Sequence, residues 1–124
     1  MQLVEQHCIN KNDSRYEVTD RVAFASKNLY NAALYELRQA YIHQGYRIFF
    51  NELYHLMKSH EAYKALPAKV AQQVLKLLDK NWTAYEEAVK AWNEDLSKFV
   101  GHPKIPQYKD KQKGRNILVF TVQP

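Results

Sequence analysis

Apolar residues in the first third of the chain recur at three- and four-residue steps: Val22, Ala25, Leu29, Ala33, Leu37 and Ala40. Steps of that size line up on one face of an α-helix, so the pattern predicts a long amphipathic helix. Ser14-Arg-Tyr-Glu17 has the form of a capping box, in which the serine hydroxyl and the Glu17 carboxylate satisfy free backbone N–H groups at its start. Gly45 supplies the stop, because glycine takes the left-handed conformation that ends many helices. A shorter helix fits residues 51–60, with Leu53, Leu56 and Met57 facing inward. Pro67 suits the first turn of a third helix, where its missing N–H has no helical partner to lose. From there Val70, Val74, Leu77, Leu78, Trp82, Tyr85, Val89, Trp92, Leu96 and Phe99 make a stripe of about eight turns. Gly101 and Pro103 end it.

The two ends of the chain read differently. Leu3, Val4, Cys8 and Ile9 fit a short, imperfect strand, and Asn116-Ile-Leu-Val-Phe-Thr-Val122 is a β-branched and aromatic run without a breaker. Strand, helices, strand implies a helical segment inserted between strands of one small sheet. The expected fold is mainly α with a small β component. Residues 1–12 carry the first strand, 13–101 a three-helix bundle, and 102–124 a basic loop and the returning strand. Two strands alone make a marginal sheet, and the chain reads as unfinished at Gln123-Pro124.

Charge then changes the picture. Eighteen Lys and Arg against thirteen Asp and Glu give +5, and residues 98–115 account for all of it. That stretch holds Lys98, Lys104, Lys109, Lys111, Lys113 and Arg115 against Asp110 alone, while the other residues balance. A neutral helical body with a concentrated basic strap points to a polyanionic partner, of which nucleic acid is the commonest. The competing reading is a solvated loop kept soluble by its lysines. Tyr108 stands inside the strap, where its ring can stack on a base or ribose while neighbouring lysines pair with phosphates; alternatively it packs back onto the end of the third helix.

Other chemistry is thin. A hydrophobic content of 46% is enough for one buried core. No run reaches the roughly 18 apolar residues of a membrane span, and no signal-peptide pattern opens the chain, so an intracellular, cytoplasmic protein is expected, with no membrane partner. Cys8 is the single cysteine, which excludes an internal disulfide and a multi-cysteine zinc site. His55 and His60 are five apart, a poor spacing for a shared metal on one helix. Glu86-Glu87 and Glu94-Asp95 alternate with Lys80, Lys90 and Lys98 as on a salt-bridged solvent face. The three glycines are too scattered for a phosphate loop. Nothing assembles a base, a nucleophile and an oxyanion donor, so no catalytic centre is expected in this chain.

Three blocks in order resemble the TnpB (OrfB) family of insertion-sequence proteins. Ser26-Lys-Asn-Leu-Tyr-Asn-Ala-Ala-Leu34 is similar to the family's first-helix signature, and Ala65-Leu-Pro-Ala-Lys-Val-Ala-Gln-Gln-Val-Leu75 with Leu78-Asp-Lys-Asn-Trp82 to its second block. Lys98-Phe-Val-Gly-His-Pro-Lys-Ile-Pro-Gln-Tyr-Lys-Asp-Lys-Gln-Lys-Gly-Arg-Asn116 resembles the third. The family consists of transposon-encoded RNA-guided DNA endonucleases. The resemblance implies a helical recognition domain, described in older accounts as a transposase helix-turn-helix, inserted into a wedge-type β domain. It also implies structured guide RNA, the guide–target heteroduplex and transposon-adjacent DNA as partners. Magnesium and zinc belong to the family's later RuvC-like nuclease domain and zinc ribbon. This sequence stops before those parts, so no cofactor and no cleavage are expected of the chain as it stands.

Carried onto this sequence, the first block puts Lys27, Tyr30 and Asn31 near the adjacent motif or heteroduplex, asparagine being able to bond base edges. The other reading of Tyr30 and Asn31 is a helix-packing pair with a buried polar bond. Gln73, with Gln72, either reaches nucleic acid or caps an interhelical contact. Lys104, Lys109, Lys111, Lys113 and Arg115 are expected to clamp RNA phosphates. Two rival classes are a stand-alone helix-turn-helix DNA binder and a helical protein-interaction module whose basic loop meets an acidic partner.

Overall fold

The computed structural model describes residues 3–5, 16–98, 101–116 and 120–122. Strand β1 is Leu3–Glu5, and the helices are α1 Tyr16–Gln44, α2 Phe50–Met57, α3 Glu61–Lys64 and α4 Ala68–Glu94. A 3-10 turn at Leu96–Lys98 follows α4, and β2 is Phe120–Val122. The chain is mainly helical, as the hydrophobic periodicity predicts.

Helices α1 and α4 form the frame. Leu29, Ala33, Leu34 and Leu37 of α1 meet Ala71, Leu75, Leu78 and Trp82 of α4, all buried, and Leu53 and Met57 of α2 close the same core. Each such leucine contributes about 1.5–3 kcal/mol by leaving water, which makes this the main source of stability. Trp82 is fully buried with Tyr41 and Tyr85 edge-on to it at 5.4 and 5.7 Å. Tyr85 and Trp92 are half-buried.

Three expectations need correcting. The second helix ends at Met57 rather than His60, and His60 instead caps the short α3 that follows, its Nδ1 accepting from the N–H of Ala62 at 3.0 Å. Leu56 is 49% exposed rather than inward. Phe50, Leu53, Tyr54 and Met57 share the packed face of α2, and at about 100° per residue Leu56 falls off its edge. The stripe of α4 stops early: the helix ends at Glu94 and Leu96 is exposed, while Phe99 lies outside the described residues.

Gly45 does end α1. It has φ +63° and its N–H bonds the carbonyl of Tyr41 at 2.9 Å, the left-handed helix cap. Arg47, just beyond, ties this turn to α4 through Asp79 and Glu86, both at 3.0 Å. The expected capping serine, Ser14, lies outside the described residues.

At the chain ends β1 and β2 pair antiparallel, with Val4 opposite Thr121. Among the described residues these are two three-residue strands, and no wedge-type β domain is seen. Residues 6–12 and 117–119, also expected to be strand, lie outside the described residues. Asn116 does not begin a strand; it is buried in loop, its N–H bonded to the carbonyl of Ala23 on α1.

Candidate nucleic-acid interface

After α4 the chain turns back. His102 stacks against Trp92 at 5.1 Å, and residues 103–110 run without helix or ladder along α1. A segment outside helix and sheet has backbone groups to satisfy, and here side chains of α1 satisfy four of them. Asn31 does so twice, its Nδ2 donating to the carbonyl of Lys109 at 2.8 Å and its Oδ1 accepting from the same residue's N–H at 2.9 Å. Lys27 Nζ donates to the carbonyl of Lys111, and Arg38 Nη1 to the carbonyl of Pro106 at 3.0 Å.

The strap then makes a tight turn. Asp110 Oδ1 accepts from the N–H groups of Gln112 and Lys113 at 2.9 and 2.7 Å, and its own carbonyl accepts from Gly114 N–H at 2.9 Å. Gly114 is required by space: a Cβ there would lie 2.4 Å from the carbonyl oxygen of Asp110. Arg115 comes out of the turn onto Asp20 of α1, with Nε to Oδ1 at 2.8 Å. Both Arg115 and Lys27 lie against the Phe24 ring.

The electrostatics follow. Hydrogen bonds from the N–H groups of Lys113 and then Gln112 hold the Asp110 carboxyl below its ordinary value. The Arg115 guanidinium does the same for Asp20. Burial pushes the Lys27 ammonium down, nearby Arg115 adds to this, and Asp110 opposes it. Both carboxylates near the strap are therefore committed to holding it.

This arrangement sorts the expected site residues. Lys104, Lys111 and Lys113 are exposed, and none has a side-chain partner among the described residues. Lys109 is half-buried with its Nζ over the Tyr30 ring at 4.9 Å, and Arg115 is held by Asp20. Tyr108 is 46% exposed, with the Arg38 guanidinium 5.1 Å from its ring, so it lies against α1 rather than the end of α4. Lys27 and Tyr30 are 1% and 3% exposed and offer almost no surface to a ligand. Tyr30 is the helix-packing residue of the second reading, its hydroxyl accepting from Asn81 Nδ2 of α4 at 2.9 Å. Asn31 bonds the strap instead. Gln73 is exposed on α4 about two turns before Asn81, and Gln72 is half-buried.

Arg38, Asp20 and Gly114 are the participants that residue type alone did not single out. Arg38 had a visible signal, since it shares a helical line with Lys27 and Asn31. Asp20 had none, standing 95 residues from Arg115. An open cleft of about 420 Å³ lies between Tyr30, Asn81, Ala84 and Tyr85 of the helices and Lys104, Pro106 and Gln107 of the strap. Among the described residues no three His, Cys, Asp or Glu side chains group as metal ligands. Likewise, no helix there is long and apolar enough to cross a membrane. Compared with known proteins, the chain matches no family model, no curated protein and no solved structure.

Proposed function

We propose that this chain is a nucleic-acid-binding module whose docked strap presents Lys104, Lys111 and Lys113 to a phosphate backbone. On this reading it is the N-terminal recognition part of a TnpB-like RNA-guided DNA endonuclease, taking structured guide RNA and the guide–target duplex as partners. The helices are then the recognition insertion of a wedge-type β domain, to which β1 and β2 belong. In such a system sequence choice comes from base pairing, and the protein supplies backbone and shape contacts. The proposal concerns binding alone.

The observation that carries it is the division of labour in the strap. Three of its carbonyls and one N–H are held by side chains of α1, Asp20 and Asp110 are occupied in holding it, and three lysines are left facing solvent. A loop whose lysines served only solubility would need no such fastening.

The test is fluorescence anisotropy of the chain with a labelled structured RNA and with duplex DNA of the same sequence, from ~50 to ~200 mM salt. Three outward cations, at about 0.7–0.9 each, give a slope of log affinity on log salt near −2 to −3 for the RNA. Replacing Lys104, Lys111 and Lys113 by Ala should abolish most of that slope. No binding at ~50 mM salt, or an unchanged slope in the triple variant, sinks the proposal. Tight binding to duplex DNA without RNA would transfer the chain to the plain DNA-binding class.

A further inference from the structure

We infer that Lys27, Asn31 and Arg38 are positioning residues that hold the strap in its binding shape, rather than contacts to the nucleic acid itself. The inference rests on the reading of the strap given above. Its basis is a match of lengths. Along α1, Lys27 to Asn31 rises ~6 Å and Asn31 to Arg38 ~10.5 Å, at about 1.5 Å per residue. Along the strap their partners run the other way: Lys111 to Lys109 spans ~6.6 Å and Lys109 to Pro106 ~9.9 Å, at about 3.3 Å per extended residue. Each helix position thus arrives opposite a strap carbonyl.

The three positions also share a direction. At about 100° per residue, residues 27, 31 and 38 fall within roughly 40° of one another, and fully buried Leu34 lies on the same line. One line of α1 therefore serves as the missing strand partner of the strap. Its hydrogen bonds go to main-chain groups, which leaves the Lys104, Lys111 and Lys113 side chains for a ligand. An undocked basic loop would have to be ordered when it bound, and that ordering weakens affinity. A loop already fastened avoids most of this.

Asn31→Ala tests this without altering charge, in the full chain, using the same structured RNA labelled with fluorescein as probe. Affinity should fall ~10-fold at every salt concentration with an unchanged salt slope, because as many phosphates are still neutralised. Lys111→Ala with Lys113→Ala should instead flatten the slope by ~1.4. Amide exchange is the second readout: Asn116, whose N–H bonds Ala23 and is untouched by the substitution, should exchange ~10-fold faster if docking is cooperative. Wild-type affinity in Asn31→Ala, or a slope loss like that of the lysine variants, overturns the inference. If the unsubstituted chain fails to bind the probe, the functional reading fails; Asn116 exchange then still decides the docking, and unchanged exchange refutes it.

Discussion

Substituting Gly114 by Ala isolates the strap turn from the rest of the molecule. The added Cβ would stand 2.4 Å from the carbonyl oxygen and 2.8 Å from the nitrogen of Asp110, and 3.1 Å from the Lys109 Cβ. Ordinary contact begins near 3.4 Å, so the turn must open by about 1 Å. The two closest atoms are backbone, which cannot swing aside as a side chain can. Opening removes the Gly114 to Asp110 bond, worth about 1 kcal/mol net, and adds strain of similar size. A total near 2 kcal/mol corresponds to a ~30-fold rise in local opening. Amide exchange at Lys113, Gly114 and Asn116 measures it directly. The core helices share none of these contacts, so exchange at Leu34 or Leu78 should not change. The other glycines provide controls with different outcomes. Gly45→Ala meets no atom within 4 Å but forces φ +63° on alanine, costing about 1–2 kcal/mol at the α1 cap. Gly101→Ala meets neither obstacle and should leave exchange unchanged. If Gly114→Ala leaves strap exchange within about twofold of wild type, the close packing of this turn, and the strap geometry built on it, is wrong.

Three further outcomes follow from the same contacts. Arg47→Ala should lower global stability by about 2 kcal/mol, discounted for the exposure of Glu86, and Tm by ~8 °C in a calorimetric scan; Arg47→Lys should rescue little, since one ammonium cannot reach Asp79, Thr83 and Glu86 together. Tyr85, pushed up to about 12 by burial and then by its hydroxyl contact with Tyr41, should be among the last tyrosines to ionise, and Tyr85→Phe should remove that late step from an ultraviolet phenolate titration. Asp20 and Asp110 both have folded values below the ordinary 3.8, so the unfolded chain binds more protons as pH falls past that point, and their contribution is present above it and lost below. Strap exchange should accordingly hold steady from neutral pH to about pH 4, once corrected for intrinsic rates, and rise steeply only in stronger acid.

Legibility in the sequence tracked how local the determining physics is. Helices α1 and α4 were readable because their apolar steps are the fold's own period, and Gly45 because a left-handed cap is a property of one residue. The end of α2 at Met57 was not, because His60, three residues on, caps α3 through a ring nitrogen, a role that its residue type does not announce. The strap was visible as charge but not as structure. Lys27 reads from sequence as a solvent-facing cation, the default for lysine on a helix. What buries it is the carbonyl of Lys111, 84 residues away, and the Phe24 ring beside it. No local pattern encodes that pairing. The helical line through Lys27, Asn31, Leu34 and Arg38 is the nearest thing to a signal, three polar residues sharing an edge with a core leucine.

The choice of asparagine at position 31 has a physical reason in this arrangement. A strand neighbour offers an extended residue one acceptor for its N–H and one donor for its carbonyl. A side-chain amide carries both on one carbon, side by side in one planar group. Aspartate at 31 would keep the bond from Lys109 N–H but set a carboxylate oxygen against the Lys109 carbonyl, and alanine would leave both groups to water. The segments 26–34 and 98–116 meet at this point: Asn31 in the first holds Lys109 in the second across 78 residues. Lys27 and the Gly114-Arg115 turn are joined the same way, through Lys111 and Phe24. Two segments that read separately as nucleic-acid contacts are thus one fastening, in which the first block provides the support and the third provides the charge.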